Sequence, residues 1–132
     1  MDGVNGDLVP AKESDLFTSH CAHLEAGPSQ FTVRALKMLG STMLIVNPKE
    51  SEAFEELAVA MPSRNPATSE PISSTILGGH GQTDSSVLAA KLSKRYGRQF
   101  YVSLNLKLDR LVGPLFEKSL VTYMHDHLEH FA

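Results

Sequence analysis

The sequence has one cysteine, no long apolar run and no excess of basic residues, and each shortage excludes a class of protein. Cys21 is the only cysteine among 132 residues, so no disulfide can form within the chain. A free thiol fits a reducing compartment; the expected location is the cytoplasm, with the nucleus as a second candidate. No apolar stretch approaches the roughly 20 residues of a membrane-spanning helix. The net charge is −3, so neither nucleic acid nor an anionic membrane is an expected partner.

The composition is that of one soluble globular domain. Hydrophobic residues make up 42% and charged residues 20% of the chain, whose length allows one core but not two. The first residues hold Gly3, Gly6 and Pro10 among polar residues and lack the basic start of a targeting peptide. We therefore expect a flexible N-terminal tail at residues 1–14, followed by a single domain at residues 15–132.

Alternation of apolar and polar residues predicts the strands. The segments are residues 16–24, 31–36, 42–47, 57–61, 72–77 and 100–106. Gly27 and Gly40 mark the reversals between the first three of them. The third strand contains the run from Met43 to Val46 and is apolar on both faces. The charged stretch that follows, residues 48–56, is predicted to be a loop or a short helical turn.

Apolar residues at helical spacing predict a helix in two places in the second half of the chain. The first stripe is preceded by capping residues at 83–85, is ended by Gly97, and consists of Leu88, Ala89, Leu92 and Tyr96. The second helix opens at Gly113-Pro114, with a stripe of Leu115, Phe116, Leu120, Tyr123, Met124, Leu128 and Phe131. The order β-β-β-β-β-α-β-α predicts an α+β fold, a mostly antiparallel six-stranded sheet with two helices on one face.

The strands are more apolar than two helices can cover. Helices about 10 Å in diameter shield one face of a sheet whose strands lie about 4.8 Å apart. The other face of a monomer is expected to be polar, yet the third strand is apolar on both sides, and Ala58 and Ala60 alternate with other apolar residues. Either loops tuck over the ends of central strands, or the second face is available for dimerisation with a partner. The sequence favours the partner.

Cys21 and His23 are the first candidate for chemistry. They share one face of the first predicted strand, where a histidine can activate a thiolate nucleophile, while His20 points to the other face. No residue that would orient such a pair is evident, and two ligands are too few for a structural zinc site. We predict ordinary strand residues here and keep a small Cys/His enzyme as a minor alternative.

Three histidines near the C-terminus are the second candidate. On a helix His125 and His127 lie about 200° apart and cannot chelate one ion together. His127 and His130 can, but they are a pair without a third ligand. We therefore predict no metal site and no catalytic residue, and the chain is not expected to be an enzyme.

The glycine-rich segment Gly78–Gly81 lies before the first helix, where a phosphate-binding loop would lie. It lacks the Lys-Ser/Thr pair of a P-loop and the spacing of a dinucleotide-binding motif. We expect these glycines to permit a reversal between strand and helix, and we expect no cofactor. A small regulatory or ligand-binding module that uses this segment remains an alternative.

Basic residues group along one side of the first predicted helix. Lys91, Lys94, Arg95 and Arg98 follow i, i+3, i+4 and i+7 spacing. They form either a solvated face or a contact for an acidic partner, which would accelerate association. As candidate partner-binding residues we select these four together with Met43 and Ile45 of the third strand.

Short strings follow one another in a specific order along residues 57–106 of the chain: Leu57-Ala58-Val59-Ala60-Met61, Ser63-Arg64, Ser74-Thr75, Leu77-Gly78, Leu88-Ala89, Leu92, Gln99, Val102-Ser103 and Asn105-Leu106. This ordered series resembles the proteasome assembly chaperone 4 family. The resemblance covers about residues 16–130 and is strongest over 57–106. The acidic residues before Leu57 and the Gly113-Pro114 pair depart from the family pattern.

The resemblance implies a function that the residues alone do not give. It implies a chaperone without cofactor or catalysis, which pairs with proteasome assembly chaperone 3 as a heterodimer. It also implies that the chaperone binds α-type subunits of the 20S proteasome and promotes assembly of the α-ring.

Overall fold

Two glycine turns fold the first part of the chain into an antiparallel meander. The computed structural model describes residues 17–64 and 70–132. Its first strands are β1 (Thr18–Ala26), β2 (Ser29–Lys37) and β3 (Ser41–Pro48). Gly27 and Gly40 lie between them with φ values of +62° and +84°, which glycine adopts without a steric penalty. Each strand therefore runs antiparallel to the next.

The rest of the sheet is assembled around its last strand. The remaining elements are β4 (Leu57–Met61), β5 (Ile72–Leu77), helix α1 (Asp84–Tyr96), β6 (Gln99–Leu104), helix α2 (Val112–Asp126) and a 3-10 turn (Leu128–His130). The order across the sheet is β1-β2-β3-β6-β4-β5. Strand β6 thus lies between β3 and β4, which are consecutive along the chain.

The predicted α+β class and the order β-β-β-β-β-α-β-α are confirmed. The sheet is mostly antiparallel, as expected, but β3 and β6 pair in parallel, which the short reversals between early strands did not predict. The parallel pair arises because α1 carries the chain from β5 over β4 and back into the sheet. Phe100 and Val102 of β6 are fully buried, which suits a central position.

Helix α1 begins and ends at residues that the sequence marks. The Thr83 side chain accepts a hydrogen bond from the Ser86 amide at 3.2 Å, and the Thr83 amide donates to Ser86 Oγ at 2.8 Å. Gly97 ends the helix with φ of +66°. Neither α1 nor α2, the α-helices of the described residues, is both long and apolar enough to cross a membrane.

Both helices pack on the same face of the sheet around one core. The largest fully buried side chains of that core are Phe31, Phe100, Phe116, Phe131, Leu44, Leu92, Leu120 and Met124. The rings of Phe31 on β2 and Phe116 on α2 meet edge to face, with centroids 4.9 Å apart. The prediction of two helices on one face is therefore correct.

The end of the second helix differs from the prediction. Helix α2 stops at Asp126, because His127 leaves the helical conformation with φ −130° and ψ 42°. Phe131 reaches the core through the 3-10 turn, while Leu128 of the predicted stripe is 42% exposed. The predicted tail at residues 1–14 lies outside the described residues and stays a prediction.

Replacing Phe116 by alanine tests the helix-on-sheet packing. We expect the free energy of unfolding to fall by about 3–5 kcal/mol, because a fully buried aromatic side chain leaves a cavity against Phe31. Urea unfolding followed by circular dichroism measures the change. Leu111→Ala, at a residue 67% exposed next to the same helix, is the control, and we expect it to cost about 0.5 kcal/mol. Equal costs for the two variants would contradict the packing described.

Candidate protein-binding surface

The sheet face opposite the helices, the open face, carries an apolar row across its central strands. Strand register places these residues of β2, β3, β6 and β4 side by side: Leu36, Met43, Tyr101 and Val59. Residues paired in this way point to the same side of a sheet. All of them are at least partly accessible, whereas Leu44 and Val102, which face the helices, are fully buried.

Further apolar side chains lie on both sides of this apolar row. Ile45 and Leu57 flank it toward one end of the strands, and Met61 is paired with Ile72 toward the other end. Met61 is 40% and Ile72 61% exposed. A contiguous apolar surface of this kind is typical of a site that binds another protein.

The open face is shaped by two shallow concavities. One of about 430 Å³ is lined by Cys21, Arg34, Leu36, Met43 and Ile45, among others. Its neighbour, of about 380 Å³, shares Arg34 and Ile45 and is completed by Asn47, Glu52, Ala53 and Phe54. The two strand residues selected from the sequence, Met43 and Ile45, therefore lie on the open face, and the acidic loop (residues 49–56) borders it.

Two asparagine side chains hold the backbone of the acidic loop. Asn105 Nδ2 donates to the Ala53 carbonyl, and Asn105 Oδ1 accepts from the Glu55 amide, both at 2.9 Å. Asn47 Oδ1 accepts from the Ala53 amide at 3.1 Å. The loop therefore has a defined conformation, while its side chain Phe54 is 47% exposed beside the open face. The sequence prediction of a loop is correct, but its attachment through asparagines was missed.

The basic residues of α1 are engaged within the chain to different degrees. Lys91 Nζ lies 3.1 Å from Glu117 of α2, and Lys94 Nζ lies 2.7 Å from Glu70. Arg95 is exposed. Because the paired side chains are half exposed, such ion pairs contribute at most about 1 kcal/mol each.

Arg98 does not lie on the helix as predicted, because α1 ends at Tyr96 and Gly97 turns the chain away, and its side chain is directed toward its own chain. Its Nη2 donates to the carbonyls of Met38 at 2.8 Å and Ser41 at 2.7 Å, which fixes the turn between β2 and β3. The structure therefore does not bring the selected basic residues together as one free stripe. The role of Lys91, Lys94, Arg95 and Arg98 in partner binding stays a prediction.

A family model matches the part of the chain that forms most of the open face. The model describes proteasome assembly chaperone 4 and matches residues 30–106, more than half of the chain. The chain belongs to the proteasome assembly chaperone 4 family. The matched region runs from β2 through β6, so it contains the whole apolar row and helix α1. Membership supports a role in proteasome assembly by protein binding and not by catalysis.

Solved structures provide an independent comparison of the fold. A chain of the crystal structure of a novel chaperone complex for yeast 20S proteasome assembly superposes with a TM-score of 0.58. The superposition covers 86% of this chain and 94% of that chain at 16% sequence identity, and at that identity it shows the shared fold alone. No curated protein sequence matches the chain.

Two groups of residues that the sequence analysis considered for catalysis or ligand binding lie on strand β1 and in the turn after β5. Cys21 is exposed on the open face, and His23 Nδ1 lies 3.1 Å from Thr32 Oγ1 on the neighbouring strand. Gly78 has φ of +92°, and a side chain there would overlap the Glu55 carbonyl, so the glycine permits close packing against the acidic loop. Across residues 17–64 and 70–132, no three His, Cys, Asp or Glu side chains are arranged to hold a metal ion.

A histidine cluster, formed by His20, Tyr123, His127 and His130, was missed by the sequence analysis. His20 Nε2 lies 2.6 Å from the Tyr123 hydroxyl, and its ring stacks on His130 at 3.9 Å with an interplanar angle of 7°. His127 stacks on Tyr123 at 4.0 Å. The available signal was strand alternation, which places His20 on the same face as Ala22 and therefore toward the helices.

Replacing Asn105 by alanine tests how the acidic loop is held. The variant loses the acceptor of the Glu55 amide and the donor to the Ala53 carbonyl, so we expect the Glu55 amide to exchange hydrogen at least tenfold faster, with a cost of about 1–3 kcal/mol. The Ala53 amide keeps its own acceptor, Asn47 Oδ1. Hydrogen exchange followed by NMR measures the exchange rate and the cost. Gln82→Ala, which removes an exposed amide side chain, serves as the control. Unchanged exchange at the Glu55 amide in the Asn105 variant would show that the loop is held in another way.

Proposed function

We propose that this family member is a proteasome assembly chaperone that pairs with proteasome assembly chaperone 3 through its open face. In this proposal the heterodimer binds α-type subunits of the 20S core and promotes assembly of the α-ring. The observation that carries the proposal is the apolar row across four strands on a face without helices.

The dimensions of the open face support an interface of ordinary size. Six strands about 4.8 Å apart span about 24 Å, and their lengths of five to nine residues correspond to about 17–30 Å. Several hundred square ångströms are therefore available. Stable complexes bury about 800 Å² on each partner, so the sheet together with the bordering acidic loop is large enough.

The side chains on the open face suit burial against a second sheet. Tyrosine and methionine are enriched in protein interfaces, and Tyr101 and Met43 lie next to each other in the apolar row. The Tyr101 hydroxyl accepts a hydrogen bond from Gln99 Nε2 at 2.8 Å, so it has a partner of its own when water is excluded. Two sheets packed face to face would interdigitate these side chains at a spacing of about 10 Å.

The basic side of α1 is the proposed contact for an acidic region of an α-type subunit. Lys91, Lys94 and Arg95 are accessible, and the exposed pairs with Glu117 and Glu70 can exchange for a partner's carboxylates at little cost. Such charges increase the rate of association more than the affinity. Arg98 follows the end of α1, and its guanidinium is bound to the turn between β2 and β3. The proposal places the protein in the cytoplasm and the nucleus.

Met43→Glu is the decisive variant for heterodimer formation. A carboxylate in the middle of the apolar row would be buried without a partner, so we expect affinity for proteasome assembly chaperone 3 to fall at least 100-fold. Isothermal titration calorimetry with the two purified chains measures the affinity.

Leu39→Glu is the matched control for this experiment. Leu39 is 84% exposed in the turn between β2 and β3 and lies outside the strands of the open face, so the same charge is expected to leave affinity within threefold. Circular dichroism verifies that both variants are folded. A folded Met43→Glu chain that binds proteasome assembly chaperone 3 with unchanged affinity would refute pairing through the open face.

A further inference from the structure

The C-terminal segment, residues 127–132, is attached to the sheet mainly by contacts with other elements. Phe131 is fully buried, and its carbonyl accepts a hydrogen bond from Thr42 Oγ1 at 2.6 Å. Lys37 Nζ donates to the Glu129 carbonyl at 3.1 Å. Within the segment the backbone hydrogen bonds are those of a single 3-10 turn; the Phe131 amide, for example, donates to the Leu128 carbonyl at 2.9 Å. A turn of this length is not stable alone, so its position depends on what it packs against.

The histidine cluster is the part of this attachment whose contacts depend on protonation. The parallel rings of His20 and His130, 3.9 Å apart, join β1 to the segment. Two imidazolium charges at such a distance repel each other, and water screens them only in part between packed elements. The Tyr123 hydroxyl can donate to neutral His20 Nε2, but protonated His20 carries hydrogen on both ring nitrogens and no longer accepts.

We infer that the histidine cluster is a proton-sensitive latch. It holds the C-terminal segment on β1 while the imidazoles are neutral, and it loosens the segment when His20 and His130 are both protonated. Opening would expose the core site that Phe131 fills, without requiring the six strands to separate.

The charged and titratable groups around His20 come from each element packed against it. They are Cys21 of β1, Lys37 of β2, Tyr123 of α2, and His127, Glu129 and His130 of the C-terminal segment. Lys37 adds a positive charge near the segment, and Glu129 opposes the effect as the one nearby carboxylate in this set. The surrounding groups together therefore disfavour a positive charge on the His20 imidazole.

The titration of His20 is consistent with a latch that closes at neutral pH. Partial burial lowers the pKa of His20 from its ordinary value of 6.5, and the charges of His130 and His127 lower it further, while Glu129 raises it. A lowered pKa in the closed form means that the open form binds protons more readily. Closure is therefore fully favourable above pH 6.5 and loses stability as the pH falls through the lowered value. Partial burial raises the pKa of Tyr123, which keeps its hydroxyl protonated as a donor.

Hydrogen exchange of the full chain across pH 7.5 to 5.5 tests the latch. After correction for the intrinsic pH dependence of exchange, we expect protection of the His130, Phe131 and Ala132 amides to fall about tenfold at pH 5.5. We expect the amides of β3 and β6 to remain protected, because opening is local. Equal loss of protection in these strands, or no change at the C-terminal amides, would overturn the inference.

Two variants separate protonation from packing. His20→Asn removes both the paired charge and the acceptor of the Tyr123 hydroxyl, so it is expected to make C-terminal protection independent of pH. His130→Asn removes only the paired charge, so it is expected to reduce the tenfold change; two positions are used in case one variant fails to fold. His125→Asn is the matched control, because His125 is exposed on α2 outside the cluster, and it should retain the tenfold change. Loss of the pH dependence in this control, or its persistence in both cluster variants, would overturn the latch.

Discussion

The insertion of β6 between β3 and β4 joins the two parts of the sheet. Strand β6 pairs in parallel with β3 and antiparallel with β4, so it links the N-terminal meander to the β4–β5 hairpin. Its Phe100 and Val102 fill the core beneath the helices, and Tyr101 lies in the apolar row on the open face. A shift of β6 by one residue would exchange these sets between the two faces, which explains why its register must be specified on both sides.

Because both helices pack on one face of the sheet, that face forms the core and the opposite face stays accessible. All of the core contacts of α1 and α2 lie on one side, and the other side is a sheet surface of defined geometry. The asparagines at positions 47 and 105 fix the acidic loop at the border of that surface. A binding surface built on strands loses little conformational entropy on association, which suits a chaperone whose sheet is the proposed contact.

The sequence was sufficient to predict the secondary-structure elements and the two faces of the strands, but not which strands are neighbours in the sheet. Alternation identified Met43 and Ile45 as residues of a second apolar face, and the glycine after the helical stripe, Gly97, was correctly identified as the end of α1. The same alternation carries no information on which strands pair, so the insertion of β6 was not predicted. His20 and Tyr123 are 103 positions apart, and only the fold brings them together.

The asparagine contacts and the end of α2 show the same limit of sequence reasoning. The side chain of Asn105 binds backbone groups some fifty positions away, and no local sequence pattern predicts such a hydrogen bond. Periodicity also extended α2 to Phe131, because a buried residue at helical spacing looks like part of the stripe. The chain instead reaches that core position by a 3-10 turn after Asp126.

The central position of β6 has a consequence for the chain during its synthesis. Residues 99–104 leave the ribosome after β1 to β5 have already been made, yet both neighbouring strands need them as a pairing partner. Until then Leu36 and Met43 on one side and Val59 on the other are separated by a gap that Tyr101 will fill. A nascent or truncated chain therefore presents only fragments of the apolar row. A partner that recognises the continuous row would select chains whose translation and folding have passed β6.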